Sequence, residues 1–486
     1  MTDFFELIVS ITNSILSYRG FDRPLVGVSY IWVSILSILS VFTARKFLNI
    51  SFFSIFIILV LPPLFGVYGG SVGFGTLLSS IIILSCLFQY SQINKFRVSL
   101  PMRFSTRFLN YIFILFLLIT IHGYITYSLN IETFQIFRFL VSYFGMLFII
   151  MSAYGVSYLL STQNSKSFEN IIKNVWILVL ILTTLILIRF AVFSPLFRHP
   201  YGELAIFSEP TFYAVTCLPF FVYKLATSSH IKQLQILIAM IAMGFIVRST
   251  TLLIATALIY FSLKLRVSKK IFYFLTSVLT IFIIYIINFE IIGVVHSPHC
   301  ENCLFDGSAN PIFHVFYRIQ DLFIGVNIDT NLSILFYKKE WHEAFNNLIN
   351  TNGLGIGFQQ IGIHGFSSFI ADIIHQKHPS VQFDSLASVS IAPKLISEFG
   401  VIGIGFLLLY LKYFIKSFSF VRHTIQQGSN KISNIELLLH SFNLTYFILL
   451  FIRGYGYFSS SLFFLIMFIA YFFIIKKNLS LVSESR

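Results

Sequence analysis

Apolar runs long enough to form membrane-crossing helices recur along nearly the whole chain, separated by short polar loops. The clearest cover 25–43, 47–66, 72–90, 108–128, 138–160, 171–193, 210–226, 271–293, 391–412, 434–452 and 456–475. A helix needs about 20 apolar residues to cross the hydrocarbon core of a bilayer, so each run predicts a span. Residues 231–266 are too long for one span and are interrupted by Arg248-Ser249-Thr250-Thr251. The pattern there predicts two short helices, 232–247 and 250–264, meeting at a tight turn. Residues 4–18 form a shorter apolar segment carrying Glu6, which either spans obliquely or lies in the interface.

One long polar interruption, 294–390, holds helix-like runs near 313–325 and 336–350, followed by Gly353-Leu354-Gly355-Ile356-Gly357. The chain therefore divides into N-terminal transmembrane helices (1–293), a large loop with short helices (294–390) and C-terminal transmembrane helices (391–486). The expected fold class is all-α: a polytopic membrane protein with about 13–14 transmembrane helices and one large loop on the non-cytoplasmic side. Loops this long inside a compact protein usually carry function. No internal repeat is visible, and neither a separate soluble domain nor a cleavable signal peptide is expected.

Composition agrees. Of 486 residues, 57% are hydrophobic and 11% charged, against about 25% charged in soluble domains. The net charge of +14 would suggest nucleic acid in a soluble protein. Here the basic residues sit in every second loop: Arg45-Lys46, then Lys95 to Arg107, Lys166 and Lys173, Lys224 and Lys232, Lys264 to Lys270, Lys412 to Lys431, and Lys476-Lys477. That alternation is the positive-inside pattern. It places these loops and the C-terminus in the cytoplasm, and no nucleic-acid recognition motif accompanies it.

Cys86 and Cys217 lie in apolar runs and read as inert packing residues. Cys300 and Cys303, beside His296 and His299, have a spacing compatible with zinc. No second CxxC or HxxxH completes a site, so a local disulfide or two free thiols is the preferred reading. Neither metal nor cofactor is expected.

The candidate chemistry lies on the outer side, where the membrane-proximal cations are mainly arginines: Arg138, Arg189, Arg198, Arg248, Arg318 and Arg453. Each could snorkel or pair with Glu203 or Glu209. As a group they suit an anionic lipid headgroup, because guanidinium grips phosphate oxygens bidentately. Glu209 precedes Pro210, a favoured first helical residue; it is either a capping acid or a base at a cavity mouth. The long loop carries Arg318, Asp321, Lys338, Lys339, His342, His364, Asp372, His375 and His378, most of them expected on solvated faces. Tyr201, Tyr455 and Tyr457 could offer ring faces to sugars or belong to the interfacial aromatic belt.

Three stretches resemble bacterial O-antigen polymerases (the Wzy family), within the wider group of lipid-linked polysaccharide polymerases and ligases. Phe207-Ser208-Glu209-Pro210-Thr211-Phe212-Tyr213-Ala214 resembles their "EPS…A" stretch, and Arg248-Ser249-Thr250-Thr251 resembles the break before a short helix. Leu354-Gly355-Ile356-Gly357-Phe358, followed by Leu395-Ile396-Ser397-Glu398-Phe399-Gly400-Val401-Ile402-Gly403, resembles their "GxG … ElGxxG". Topology extends the resemblance over most of the chain. O-antigen ligases carry a His-Asn pair shortly before "ElG"; here Val389-Ser390 stand there, which favours the polymerase over the ligase.

The resemblance implies a metal-independent glycosyltransferase in the bacterial inner membrane. It would join undecaprenyl-pyrophosphate-linked oligosaccharide repeat units at the periplasmic face. Membrane lipid and a chain-length regulator protein would be its partners. The implied roles are base for Glu209 and substrate binding for Arg198 and Arg248; His364 is a second candidate for the base the reaction needs, and Arg318, Arg453, Tyr201 and Tyr457 are candidate substrate contacts from placement alone. The competing expectations are an O-antigen ligase and a lipid-linked oligosaccharide flippase. The lack of a repeat and the large outer loop weigh against a flippase.

Overall fold

The computed structural model describes residues 50–67, 72–93, 106–161, 165–193, 210–246, 250–264, 332–362, 368–377, 390–427, 434–452 and 457–484. The runs expected at 4–18, 25–43, 271–293 and 313–325 lie outside the described residues, as do Cys300 and Cys303.

The described residues are helical almost throughout. In chain order the helices are α1 (Ile50–Val67), α2 (Val72–Ile93), α3 (Thr106–Leu129), α4 (Ile136–Ser161), α5 (Ser165–Phe193), α6 (Pro210–Thr227), α7 (His230–Ile246), α8 (Thr250–Lys264), α9 (Leu332–Asn350), α10 (Phe369–Lys377), α11 (Ile391–Gln427), α12 (Asn434–Ile452) and α13 (Ser460–Glu484). Their limits follow the apolar runs to within a few residues in most cases. α6 opens on Pro210, whose ring fixes φ and whose missing N–H costs nothing at that position. The 231–266 stretch yields α7, ending at Ile246, and α8, opening at Thr250; the tight turn expected between them lies outside the described residues.

α11 and α10 differ most from the pattern read in sequence. α11 runs on to Gln427 rather than ending near 412, because Phe414, Ser417, Phe418, Val421 and Thr424 continue a buried row at helical spacing. α10 is too short to declare a period of its own. It is held by Ile370 and Ile374 packing against Leu335.

Two cores divide the interior. The larger is built from α1, α2, α4–α8, α12, α13 and the far part of α11. The smaller lies at one end of the helices, where Phe116 and Ile119 of α3, Met146 and Ile150 of α4, Trp341 and Ala344 of α9, Ile391 and Ile396 of α11 and Leu450 of α12 enclose Phe358, Phe399 and Tyr457. α9 reaches this core through a row spaced by three residues: Leu335, Lys338, Trp341, Ala344 and Asn347, all buried. Lys338, expected on a solvated face, belongs to that row. Tyr337 of α9 donates to the Phe451 carbonyl at 2.9 Å. Burial pushes its hydroxyl up to about 12, so it stays protonated and a donor at neutral pH.

A polar network joins α11 to α12 inside the larger core. Tyr410 donates to Asn443 Oδ1 at 2.7 Å, Asn443 Nδ2 donates to Ser417 Oγ at 3.1 Å, and Ser417 Oγ meets His440 Nδ1 at 2.9 Å. Polar groups are costly in an apolar interior unless they are bonded to one another, so the set fixes the rotation of α11 against α12.

The outward faces are apolar. On α3, Tyr111, Phe113, Ile114, Leu117, Ile121 and Tyr124 are exposed, Phe113 at 68% and Tyr124 at 71%. Among the described residues, α3 over Phe108–Leu129, α4 over Ile136–Ser161 and α11 over Ile391–Gln426 are long and apolar enough to cross a membrane. A broad exposed apolar face would be a liability in water and is expected against lipid tails.

Candidate functional site

The site is assembled by a kink in α11 and a strap of chain that fills it. At Gly400 the backbone turns to φ 56°, ψ −129°, a conformation essentially closed to residues with a Cβ. In an unbroken helix Val401 N–H would donate to Ser397 and Ile402 N–H to Glu398. The kink redirects this ladder. Val401 N–H donates instead to the Gly353 carbonyl at 2.8 Å, while the Ser397 and Glu398 carbonyls accept from Ile356 N–H (3.0 Å) and Gly357 N–H (2.9 Å). Three backbone hydrogen bonds thus bind residues 353–357 to the start of α11.

The strap arrives there because α9 ends in a tight cap. Asn352 takes φ 52°, and Gly353 N–H reaches back to the Leu348 carbonyl at 2.7 Å, the hydrogen-bond pattern of a Schellman turn. Gly355 has no room for a side chain: a Cβ would lie 2.6 Å from both the Glu398 carbonyl and the Gly400 nitrogen. Beyond it, His122 of α3 donates through Nε2 to the Leu354 carbonyl at 2.9 Å. Gln360 Oε1 accepts from Gln135 N–H at 3.0 Å, tying the strap to the turn between α3 and α4. Phe358 inserts between Phe399 and Tyr457, with centroids at 5.8 and 5.4 Å.

Beneath the strap lies a buried charged cluster drawn from four segments. Lys394 and Glu398 stand one helical turn apart on α11, with exposures of 3% and 0%. Their Nζ and Oε1 atoms are 3.8 Å apart. The Lys394 ammonium donates to Gln359 Oε1 at 3.2 Å and lies 5.0 Å over the Tyr457 ring, a cation–π placement. Gln359 holds its side chain there from a left-handed backbone, φ 61°, uncommon for a residue with a Cβ. Arg138, buried at the start of α4, acts on the same carboxylate. The Gln359 backbone N–H and the Tyr457 hydroxyl both lie against the Glu398 carboxylate, outside strict hydrogen-bond geometry. Burial, with the carboxylate beside it, pushes the Tyr457 hydroxyl well above its ordinary range, so it remains a proton donor. Two cations, a carboxylate, a phenol and an amide in one water-poor place can hold an anion or exchange a proton with a hydroxyl.

Of the site residues expected from sequence, Tyr457 falls within this cluster. It is 6% exposed, so its ring meets Lys394 and Phe358 rather than solvent. Arg198, Tyr201, Glu209, Arg248, Arg318, His364 and Arg453 lie outside the described residues. Arg138, noted among the outer arginines, joins the cluster. Lys394, Glu398, Gln359 and His122 were not anticipated. The signal for the first two was a Lys-x-x-x-Glu pair at the head of an apolar run, one turn apart on a helix, where any ionisable residue invites a functional reading.

Long apolar helices with outward apolar faces, enclosing a buried charged site at one end, define the class: a helical protein built for a membrane. No protein-family model matches the chain, and no curated protein matches it.

Proposed function

We propose that this chain is a glycosyltransferase of the bacterial inner membrane that polymerises undecaprenyl-pyrophosphate-linked oligosaccharide repeat units, as O-antigen polymerases do. A hydroxyl of one lipid-linked unit attacks the anomeric carbon of the growing chain. The bond from that carbon to the diphosphate oxygen breaks, the diphosphate keeps the electron pair, and the hydroxyl proton passes to a base. Arg198, Arg248, Arg318 and Arg453 would hold the diphosphate, Glu209 or His364 would serve as base, and Tyr201 would face sugar.

The observation that supports this reading best is the interlocking of 354–358 with 395–403. These two stretches of the polymerase resemblance are separated by the remainder of the long loop. They exchange backbone hydrogen bonds and close over a site containing Arg138 and Lys394. Preorganised cations in a partly dry site stabilise a leaving diphosphate where its charge grows.

The test is cellular. A strain lacking this protein should make lipopolysaccharide bearing a single repeat unit. Core with no repeat units at all would instead indicate a ligase or a flippase. In the complemented strain, Arg248→Lys should shorten or abolish the polymer ladder at normal protein abundance, because a point charge does not replace a bidentate fork. Wild-type banding would remove Arg248 from the diphosphate site.

A further inference from the structure

We propose that Lys224 and Lys232 hold the phosphate of an anionic phospholipid of the cytoplasmic leaflet beside the Trp176 ring. The site stands apart from the polymerase reading. It lies at the far end of the helices from the strap, the end that the basic loops assign to the cytoplasm.

The seat is fixed by hydrogen bonds and ring contacts among neighbouring helices. Tyr223 of α6 donates to Asn434 Oδ1 at 3.2 Å, and Asn434 Nδ2, at the start of α12, donates to Glu169 Oε1 of α5 at 3.2 Å. The bridge gathers α5, α6 and α12 and takes up the Glu169 carboxylate. Trp176 of α5 stands edge-on to Phe221 of α6, with ring centroids at 5.5 Å. The Lys224 ammonium lies 5.5 Å from the centroid of the Trp176 ring and 6.0 Å from that of Tyr223, a cation–π placement. Ser228 and Ser229 alone join α6 to α7. Gln233 closes that turn: its side chain donates to the Ser228 carbonyl at 3.0 Å and its N–H to the Ser229 carbonyl at 2.8 Å. Lys232, in the first turn of α7, is thereby brought within electrostatic range of Lys224 in the last turn of α6. Among the described residues, no ion pair engages either lysine. Lys232 also stands at the positive end of the α7 dipole, where a cation is disfavoured. Two like charges and a helix N-terminus held this close call for an anion. The apolar surroundings select its source. Ile231, Leu234 and Ile238 on α7, and Ile177, Leu180 and Ile181 on α5, are exposed in stripes that begin beside the site. Acyl chains can lie along such stripes, and a free phosphate gains nothing from them. Basic sites between helices at the cytoplasmic surface take acidic lipid headgroups, and tryptophan belongs at headgroup level.

Full-length protein purified in detergent is titrated with phosphatidylglycerol and with zwitterionic phosphatidylcholine of the same acyl chains, and bound lipid is measured by native mass spectrometry. Wild type should hold one phosphatidylglycerol at least about tenfold more tightly than phosphatidylcholine. Lys224→Gln/Lys232→Gln should weaken phosphatidylglycerol about 25-fold, the product of two cations acting at a membrane surface, and leave phosphatidylcholine unchanged. Lys412→Gln/Lys416→Gln removes the same charge from α11 at the same end and should keep phosphatidylglycerol within about twofold of wild type. Wild type without a preference, full affinity in Lys224→Gln/Lys232→Gln, or an equal loss in the α11 variant overturns the site. Inorganic phosphate is added as competitor. It should leave the lipid bound, and displacement at concentrations equal to the lipid's would overturn the assignment to a phospholipid. Should the double variant fail to fold, Trp176→Leu keeps both charges and removes the ring that places Lys224. It should weaken phosphatidylglycerol about fivefold, and unchanged affinity overturns the proposal.

Discussion

Gly400→Ala is expected to destabilise the protein by about 3 kcal/mol or more, the range reached when a strained backbone position is denied its glycine. A Cβ at 400 would collide with the Gly353 carbonyl oxygen, which is the acceptor for Val401 N–H. It would also demand a positive φ of a residue that disfavours one. Relief requires either straightening α11, which takes the Ser397 and Glu398 carbonyls away from Ile356 and Gly357, or expelling the strap. Both routes uncover Lys394 and Glu398. Gly405, on the same helix, supplies the control: a Cβ there meets nothing within 4 Å, so Gly405→Ala should leave stability unchanged or slightly raised. Thermal unfolding of the purified variants in detergent measures both. Equal unfolding temperatures for the two would mean that the kink and strap do not hold the fold together.

Lys394→Met should cost about 3–5 kcal/mol, the usual penalty for removing one partner of a buried ion pair and stranding the other. Glu398 is fully buried on α11, and the cation one turn away is its ion-pair partner. The double variant Lys394→Met/Glu398→Leu should recover most of that loss, since apolar side chains of similar volume can replace a buried pair at little cost. The double-variant cycle, read as unfolding temperatures, thus separates a charge requirement for stability from one for ligand. If the double variant is no more stable than Lys394→Met, the interaction is not a pair.

Much of the fold could be read from apolar runs alone, because a lipid-facing helix needs no alternation to declare itself. Pro210 marked the start of α6, and the interruption at Arg248 marked the division of α7 from α8. α9 was visible over 336–350 but opens four residues earlier, at Leu332; Leu335 joins the buried row only once α10 is there to pack on it. The site was legible in fragments. The glycines at 353–357 and the Glu398-Phe399-Gly400 stretch were each noticed, yet their meeting depends on hydrogen bonds across more than forty positions in sequence (Gly353 to Val401), which no local pattern encodes. Gln359 and His122 take their roles from tertiary neighbours, Lys394 and Leu354. Tyr457 could be picked out because it stands at the outer end of the last apolar run, where a tyrosine has a polar tip to place. Its partner, the Lys394 ammonium, was not picked out.

The activity proposed for this chain is transfer of saccharide from one lipid diphosphate to the next. It is tested most directly by incubating purified protein in lipid vesicles with synthetic undecaprenyl-pyrophosphate-linked repeat units and sizing the glycans. A ladder of products spaced by one repeat unit is expected, with release of undecaprenyl pyrophosphate, and loss of both in Lys394→Met. Substrate recovered only as single units, or merely moved across the bilayer intact, would contradict it.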